Sequence, residues 1–263
     1  MSMFDMVILA GGTPTADSPL YPYTHGRPKA MIDINGRPMI EWIIEAGQQS
    51  QNIADVIVVG LDDQGVQRSL NTLRPVHFLP NQGGMVSNGM FALDWLAQHR
   101  PQTKVIVGCS SDIPHTKAHM IDDLIALCQP LDCVMYGIYS FPDQITARYP
   151  TAKRTYSKFQ GGVQIATGDM FVLQTAFRDT NESLWQAITE ARKKPWKVAQ
   201  AVGFSTLFKY LTRRLSIQEA AEIAGRVLAN DPQAIKVLPT PHVELTMDGD
   251  KPHQIDILRQ TFR

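Results

Sequence analysis

Apolar and polar positions follow two periods along the first half of the chain. Met6-Val7-Ile8-Leu9-Ala10 is a short apolar run that stops at Gly11-Gly12. That is the pattern of a buried parallel strand feeding a tight loop. Met39, Ile40, Ile43 and Ile44 recur at helical spacing, which predicts a helix over 39–49 with Pro38 in its first turn. Residues 55–60, 76–79, 104–108 and 133–139 read as further strands, and 63–73, 88–98 and 119–128 as the helices between them. Repeated β–α–β units with short connections imply an α/β fold, a mostly parallel sheet sandwiched by helices. In such sheets ligands bind beyond the carboxyl ends of the strands.

The second half is less regular. Pro142, Pro150, Lys153, Arg154, Lys158 and Gly161-Gly162 fall within 140–168, which reads as a loop-rich insertion over the sheet. A helix is expected over 184–192. Amphipathic helices are expected over 204–211 and 217–228, the second capped by Ser216. Strand character returns over 234–247, and a helix from His253 closes the chain. Without an internal repeat, a low-complexity tract or a polar linker, residues 1–263 read as a single domain.

Composition narrows the function classes. Hydrophobic residues make up 44% and charged residues 19% of 263, an ordinary globular profile. Lys+Arg and Asp+Glu number 25 each, so no global basic field draws the chain to nucleic acid, and no nucleic-acid partner is expected. Cys109, Cys128 and Cys133 match no zinc spacing and read as reduced thiols in apolar surroundings. The start, Met1 to Asp5, lacks the basic and long apolar stretches of a signal peptide, and no window approaches the roughly 18 apolar residues that span a bilayer. A cytoplasmic protein with no membrane span is expected.

The candidate chemistry sits where the strands end. A glycine pair directly after a strand lets backbone N–H groups approach an anion without a Cβ in the way, although a plain tight turn also suits Gly11-Gly12. Arg27-Pro28-Lys29-Ala30-Met31 follows, and Arg27 and Lys29 can neutralise a triphosphate and then a pyrophosphate leaving group. Neither G-x-x-x-x-G-K-[ST] nor a G-x-G-x-x-G after the first strand is present. A P-loop and a dinucleotide fold are thereby disfavoured. Ser110-Ser111-Asp112 follows the fourth strand, and a carboxylate there can hold Mg²⁺ against a phosphate or, as a plainer alternative, cap the next element. Ser110 and Ser111 lie in no G-x-S-x-G elbow, and the histidines form no H-E-x-x-H; only His115, near Asp112, draws attention, and it reads best as a surface residue.

The string Leu9-Ala10-Gly11-Gly12, then Arg27-Pro28-Lys29-Ala30-Met31, then Gly36-Arg37-Pro38-Met39-Ile40 resembles the start of the MobA-like NTP transferases. These are nucleotidyltransferases of the GT-A-like fold, relatives of molybdenum-cofactor guanylyltransferase and of sugar-1-phosphate nucleotidyltransferases. The resemblance is strongest over 6–45 and 104–115. It departs at Thr13-Pro14-Thr15-Ala16-Asp17, where the family has G-x-G/S-x-R, so that Arg27 is left to supply the phosphate-binding arginine.

The resemblance implies a division of the chain into an NTP-binding half, 1–140, and an acceptor-binding half, 141–263, with helices appended at about 204–228. It implies nucleotide binding by Leu9, Ala10, Gly11, Gly12 and Lys29, and a metal site of Asp112 with Asp250, which stands in Asp248-Gly249-Asp250-Lys251-Pro252 where the family has Asp-x-Asp-Thr-Pro. Asp248 is the alternative ligand and an Asp-Gly turn the plainer reading. The cation would be Mg²⁺, with Mn²⁺ as a substitute. Asn81, Gly84, Ser87 and Asn88 fall in the loop that reads base and ribose, unless they merely form a capped turn. Lys153, Lys158 and Gly162 fall on the acceptor side, with Arg154, Gly161, Thr167 and Asp169 nearby; a solvated basic face is the alternative. Trp185, Trp196 and Phe204 read as packing residues.

The implied reaction moves a nucleoside monophosphate from an NTP to a phosphorylated small-molecule acceptor, with Lys29, Arg27 and Asp112 as catalytic residues. A glycosyltransferase of the same fold is disfavoured, because Ser-Ser-Asp stands where an Asp-x-Asp is usual. A nucleotide-binding regulatory protein with weakened catalysis is the other alternative. The NTP, the acceptor and the oligomeric state, a homodimer included, stay open.

Overall fold

The computed structural model describes residues 4–179 and 203–262. The expected helix over 184–192, with Trp185 and Trp196, lies outside them. The order of elements opens with β1 (Phe4–Leu9), a short helix α1 (Tyr21–Thr24), a two-residue hairpin of β2 (Asp33–Ile34) and β3 (Arg37–Pro38), and α2 (Met39–Gln49). It continues through β4 (Ile53–Val59), α3 (Gln64–Ser69), β5 (His77–Leu79), α4 (Met85–His99), β6 (Val105–Ser110), α5 (Ala118–Leu127) and β7 (Met135–Ser140). Then come α6 (Pro142–Arg148), β8 (Ser157–Lys158), β9 (Gln164–Gln174), α7 (Phe204–Leu211), α8 (Ile217–Ala229), β10 (Ile235–Pro239) and α9 (Pro252–Thr261).

The main sheet runs β10-β7-β9-β6-β1-β4-β5, with β8 paired to β9. Strand β1 pairs in parallel with β4 and β6, β4 with β5, and β10 with β7. Strand β9 runs antiparallel to both β6 and β7, which makes the sheet mixed. Alternation along β1 explains the two covered faces. Phe4, Met6 and Ile8 pack with Ile40, Ile43 and Ile44 of α2 and Ile121, Leu124 and Ile125 of α5. Val7 points the other way, to Met90, Leu93 and Leu96 of α4. A strand buried on both faces has to be apolar throughout, as this one is after Asp5. A separate cluster of Ile32, Ile34, Met39, Tyr149, Val243, Ile255 and Leu258 seats α9 against the hairpin at one end of the sheet.

Three local expectations change. The predicted helix over 63–73 is cut to α3, capped by Asp63, whose carboxylate accepts from the N–H groups of Gly65 and Val66. The chain beyond it is tied down by side chains of α2: Asn71 N–H donates to Glu41, and Leu73 N–H to Gln48. Those bonds replace helical ones. The expected insertion over 140–168 contains α6 and leads into β9, an eleven-residue strand in the middle of the sheet. The strand-like stretch over 234–247 is β10 followed by a 3-10 turn at Val243–Thr246. Elsewhere the sequence reading holds closely. Helix α2 spans 39–49 as expected, α7 spans 204–211, and Ser216 caps α8 by accepting from Glu219 N–H at 3.0 Å. Among the described residues no helix is long and apolar enough to cross a membrane.

Candidate active site

Three loops meet at the carboxyl ends of β1 and β6. The loop leaving β1 carries Gly11 and Gly12 and returns to the sheet at a 3-10 turn, Lys29–Met31, whose Ala30 and Met31 are buried. Lys29 N–H donates to the Gly12 carbonyl at 2.9 Å, so the glycine pair and the lysine are held side by side. The loop leaving β6 is fastened to β1 by Ser111 N–H donating to the Leu9 carbonyl at 3.1 Å. The third loop precedes α9, and its Gly249 N–H donates to the Asp112 carbonyl at 2.9 Å. That bond brings Asp250 to Asp112 from the far end of the chain.

The side chains converge accordingly. The Lys29 ammonium hydrogen-bonds to both Asp112 and Asp250. Ser110 donates its hydroxyl to the other Asp112 oxygen. The next helix, α5, is capped at Lys117 rather than Asp112, so the capping alternative does not apply to this carboxylate. Burial alone would lower the Lys29 pKa; the charges of Asp112 and Asp250 override it and hold the ammonium firmly protonated. Burial acts to raise the Asp250 carboxyl, and the Lys29 charge outweighs it and holds the group below its ordinary value.

Leu9, Ala10, Gly11, Gly12, Lys29, Asn88 and Asp112 line one cavity of about 150 Å³, together with Met85, Ser110 and Ser111. Gly11 has a steric reason to be glycine: a Cβ there would stand 2.6 Å from the Asn88 amide nitrogen and 3.0 Å from the Asn81 amide oxygen. Gly12 faces open space. Asn88 is buried and accepts from Gln82 N–H at 2.6 Å, while its own amide donates to Asn81 at 3.2 Å. Asn81 also accepts from Gly83 N–H at 3.0 Å. Much of the hydrogen-bonding capacity of Asn81 and Asn88 therefore shapes their own loop. Gly84 is the residue preceding α4, and Ser87 lies in the first turn of that helix.

Beside the Lys29 cluster stands a second polar group. Arg154 pairs with Asp248, and Gln254 donates to the same Asp248 oxygen at 2.7 Å. Asp248 is thus engaged by Arg154 and Gln254, and Asp250 is the member of its loop that joins Asp112. Asp169, on β9, has one carboxylate oxygen shut away from solvent without a hydrogen-bond partner. Burial raises its pKa well above the ordinary range, and the charges of Asp112 and Asp248 add to the rise. Burial likewise raises Asp248, beyond what Arg154 takes back. Four carboxylates, Asp112, Asp169, Asp248 and Asp250, thus face two side-chain cations, Lys29 and Arg154. Among the described residues no three His, Cys, Asp or Glu side chains form a metal-binding group on their own. A hard divalent ion needs only one or two carboxylates when phosphate oxygens complete its shell. The pair Asp112 and Asp250 holds one cation, the Lys29 ammonium.

The remaining expected residues lie apart. Arg27 is exposed two residues before Lys29, outside the cavity lining. Lys153 and Lys158 are exposed, and Gly162 lines a separate open groove with Phe141, Pro142, Asp143, Gly161, Val163 and Gln164. Of the basic cluster it is Arg154 that turns toward the carboxylates. The sequence reading sets Lys153 and Lys158 rather than Arg154 on the acceptor side, and nothing in the Lys-Arg pair at 153–154 shows which of the two turns inward. His115 is not the surface residue expected. It is buried, with Nδ1 2.8 Å from the Tyr149 hydroxyl and Nε2 2.8 Å from the Leu258 carbonyl, joining the β6 loop to α9. The three cysteines are buried free thiols, as expected.

None of the curated proteins matches the chain significantly. Among solved structures it is similar to a hypothetical transferase from Thermus thermophilus, at 25% identity and a TM-score of 0.78, covering 96% of this chain and 99% of that one. The fold is shared with 4-diphosphocytidyl-2C-methyl-D-erythritol synthase from Anaerococcus prevotii, at 10% identity and a TM-score of 0.58, covering 98% and 95%. It is shared also with CMP:2-keto-3-deoxy-manno-octonic acid synthetase complexed with CTP, at 12% identity and a TM-score of 0.56, covering 98% of each chain. The family model for the MobA-like NTP transferase domain matches residues 6–192, and the chain belongs to that family of nucleotidyltransferase enzymes.

Proposed function

We propose that the protein transfers a nucleoside monophosphate unit from an NTP to a phosphorylated small-molecule acceptor and releases pyrophosphate. The observation that carries this reading is the Lys29 ammonium held between Asp112 and Asp250, against the Gly11-Gly12 loop. In the reaction an ionised acceptor oxygen attacks the α-phosphorus in line. The bond from the α-phosphorus to the bridging oxygen breaks, and that oxygen leaves on pyrophosphate with the electron pair. A phosphate monoester is already ionised near neutral pH, so no strong base is called for, and catalysis rests on position and charge.

Asp112 and Asp250 are the residues that would hold Mg²⁺, with Mn²⁺ as a substitute. The ion, when bound, neutralises charge on the α-phosphate. Lys29 has a flexible stem, and its ammonium serves a phosphate oxygen as well as a carboxylate. The backbone at Gly11 and Gly12 receives the β and γ groups, with Arg27 as a further source of positive charge. Arg154 has one of its guanidinium nitrogens on Asp248, and its other donors suit the acceptor's phosphate. Lys153, Lys158 and Gly162 belong to the acceptor approach in this reading.

Thermal melts with ATP, GTP, CTP, UTP and dTTP, each with and without Mg²⁺, test the donor half. A ligand at about a hundred times its dissociation constant adds roughly 2.7 kcal/mol of stability, enough for a shift of several degrees. A Mg²⁺-dependent shift with one NTP is expected. A shift with a nucleotide sugar and with no NTP would instead fit glycosyl transfer.

A further inference from the structure

Helix α7 presents an apolar face that nothing in the described chain covers. Phe204, Phe208 and Leu211 stand on successive turns at i, i+4 and i+7 and are 72%, 61% and 68% exposed. Three large exposed side chains aligned on one helix face form a patch, unlike scattered apolar residues, and a patch marks an interaction surface. Between Gly203 and Ser216 the charged residues are Lys209, Arg213 and Arg214, with no acidic residue among them. Arg213 and Arg214 are exposed, while Lys209 pairs with Glu219 of α8 at 2.5 Å.

We infer that α7 docks on an anionic phospholipid surface, its apolar face among the acyl chains and Arg213 and Arg214 on the headgroup phosphates. An apolar stripe beside basic residues is what an interfacial helix requires. A second copy of the chain fits less well, because three side chains offer far less than the roughly 800 Å² per partner that a stable interface buries.

The helix is not a free appendage. Tyr210 meets Phe159 edge to face with ring centroids 6.2 Å apart, and Gln160 N–H donates to the Leu215 carbonyl at 2.9 Å. Leu215 itself is buried. These contacts tie α7 to the loop that carries Lys158, Gly161 and Gly162, beside the open groove. Docking would therefore bring that groove to the bilayer. In so far as the transfer reaction proposed above holds, it suits an acceptor phosphate carried on a membrane-embedded chain.

The test is sedimentation of the full-length protein with vesicles of phosphatidylcholine alone and of phosphatidylcholine mixed with phosphatidylglycerol, without NTP or metal. Binding to the mixed vesicles is expected, at least about tenfold weaker on phosphatidylcholine alone and weakened by salt. Phe208→Asp with Leu211→Asp should abolish it, and Arg213→Glu with Arg214→Glu should remove the preference for anionic lipid. All four side chains are exposed, and circular dichroism checks that the variants fold. The inference is overturned if wild type stays in the supernatant, or if either double variant binds as wild type does. It is also overturned if sedimentation velocity shows a dimer that the Asp variants dissociate while vesicle binding is absent. Because nucleotide is left out, failure here leaves the transfer reaction standing, and the reverse also holds.

Discussion

Lys29 and Asp112 lie 83 positions apart in sequence and hydrogen-bond to each other, one at the end of the glycine loop and the other just past β6. The pairing leaves the ammonium where two carboxylates converge, since Asp250 takes the same nitrogen. In the proposed reaction a metal would compete with Lys29 for one place until a phosphate offers the lysine another partner. Lys29→Met should tighten Mn²⁺ binding without nucleotide by about tenfold or more, because two carboxylates lose their internal cation. The same variant should lose NTP affinity. Mn²⁺ titration followed by electron paramagnetic resonance reads the first effect and calorimetry the second. Equal Mn²⁺ affinity in wild type and variant would remove Lys29 from the metal position.

Asp112→Asn should reduce turnover by about a hundredfold or more, since charge stabilisation at the α-phosphate is the main catalytic contribution expected here. Its thermal melt should be unchanged or raised, because one of four crowded carboxylates is gone. Turnover within a fewfold of wild type would show that the metal is held elsewhere.

The Arg154–Asp248 pair is mostly buried, with side chains 10% and 16% exposed. Arg154→Met leaves Asp248 and Asp169 without their cation and should cost about 3 kcal/mol, whereas Arg154→Met with Asp248→Asn should recover much of that. Urea melts of the two single variants and the double variant measure the coupling. Additive losses would mean that the pair contributes nothing of its own.

His115 supplies a pH dependence. Burial lowers its pKa from 6.5 to about 4. Its neutral form is the one packed between Tyr149 and Leu258, so the unfolded chain binds a proton more readily. Stability from this group is complete above about pH 6.5 and is lost as pH falls from there to about 4, a change of about 3 kcal/mol. Chemical shifts of the His115 ring should stay those of the neutral form at pH 5.5. A midpoint near 6.5 would show that the imidazole is not sealed as described.

Much of this was legible beforehand because it rests on local pattern. Helix α2 shows its spacing in Met39, Ile40, Ile43 and Ile44, and α8 its cap in Ser216. The glycine pair announces a strand end, and Asp112 follows an apolar run after Ser110-Ser111. Strand β9 was hidden because Thr167, Gly168 and Asp169 interrupt its apolar period, the last two for reasons set by the fold. A Cβ at Gly168 would stand 2.5 Å from the Ile138 side chain, and Asp169 belongs to the carboxylate cluster. Arg154 was not separable from Lys153, because only the path of the loop decides which of two adjacent cations turns inward. The roles of Asn81 and Asn88 in shaping their own loop depend on contacts across six or seven residues that no periodicity records.

The most direct measurement follows the label of an α-³²P NTP, offered with Mg²⁺ and a range of phosphomonoesters, into product. The expected result is label joined to one acceptor in equal amount with pyrophosphate, and loss of both with Asp112→Asn. Label released as a nucleoside diphosphate with orthophosphate, or transfer that persists in Asp112→Asn, would contradict the account.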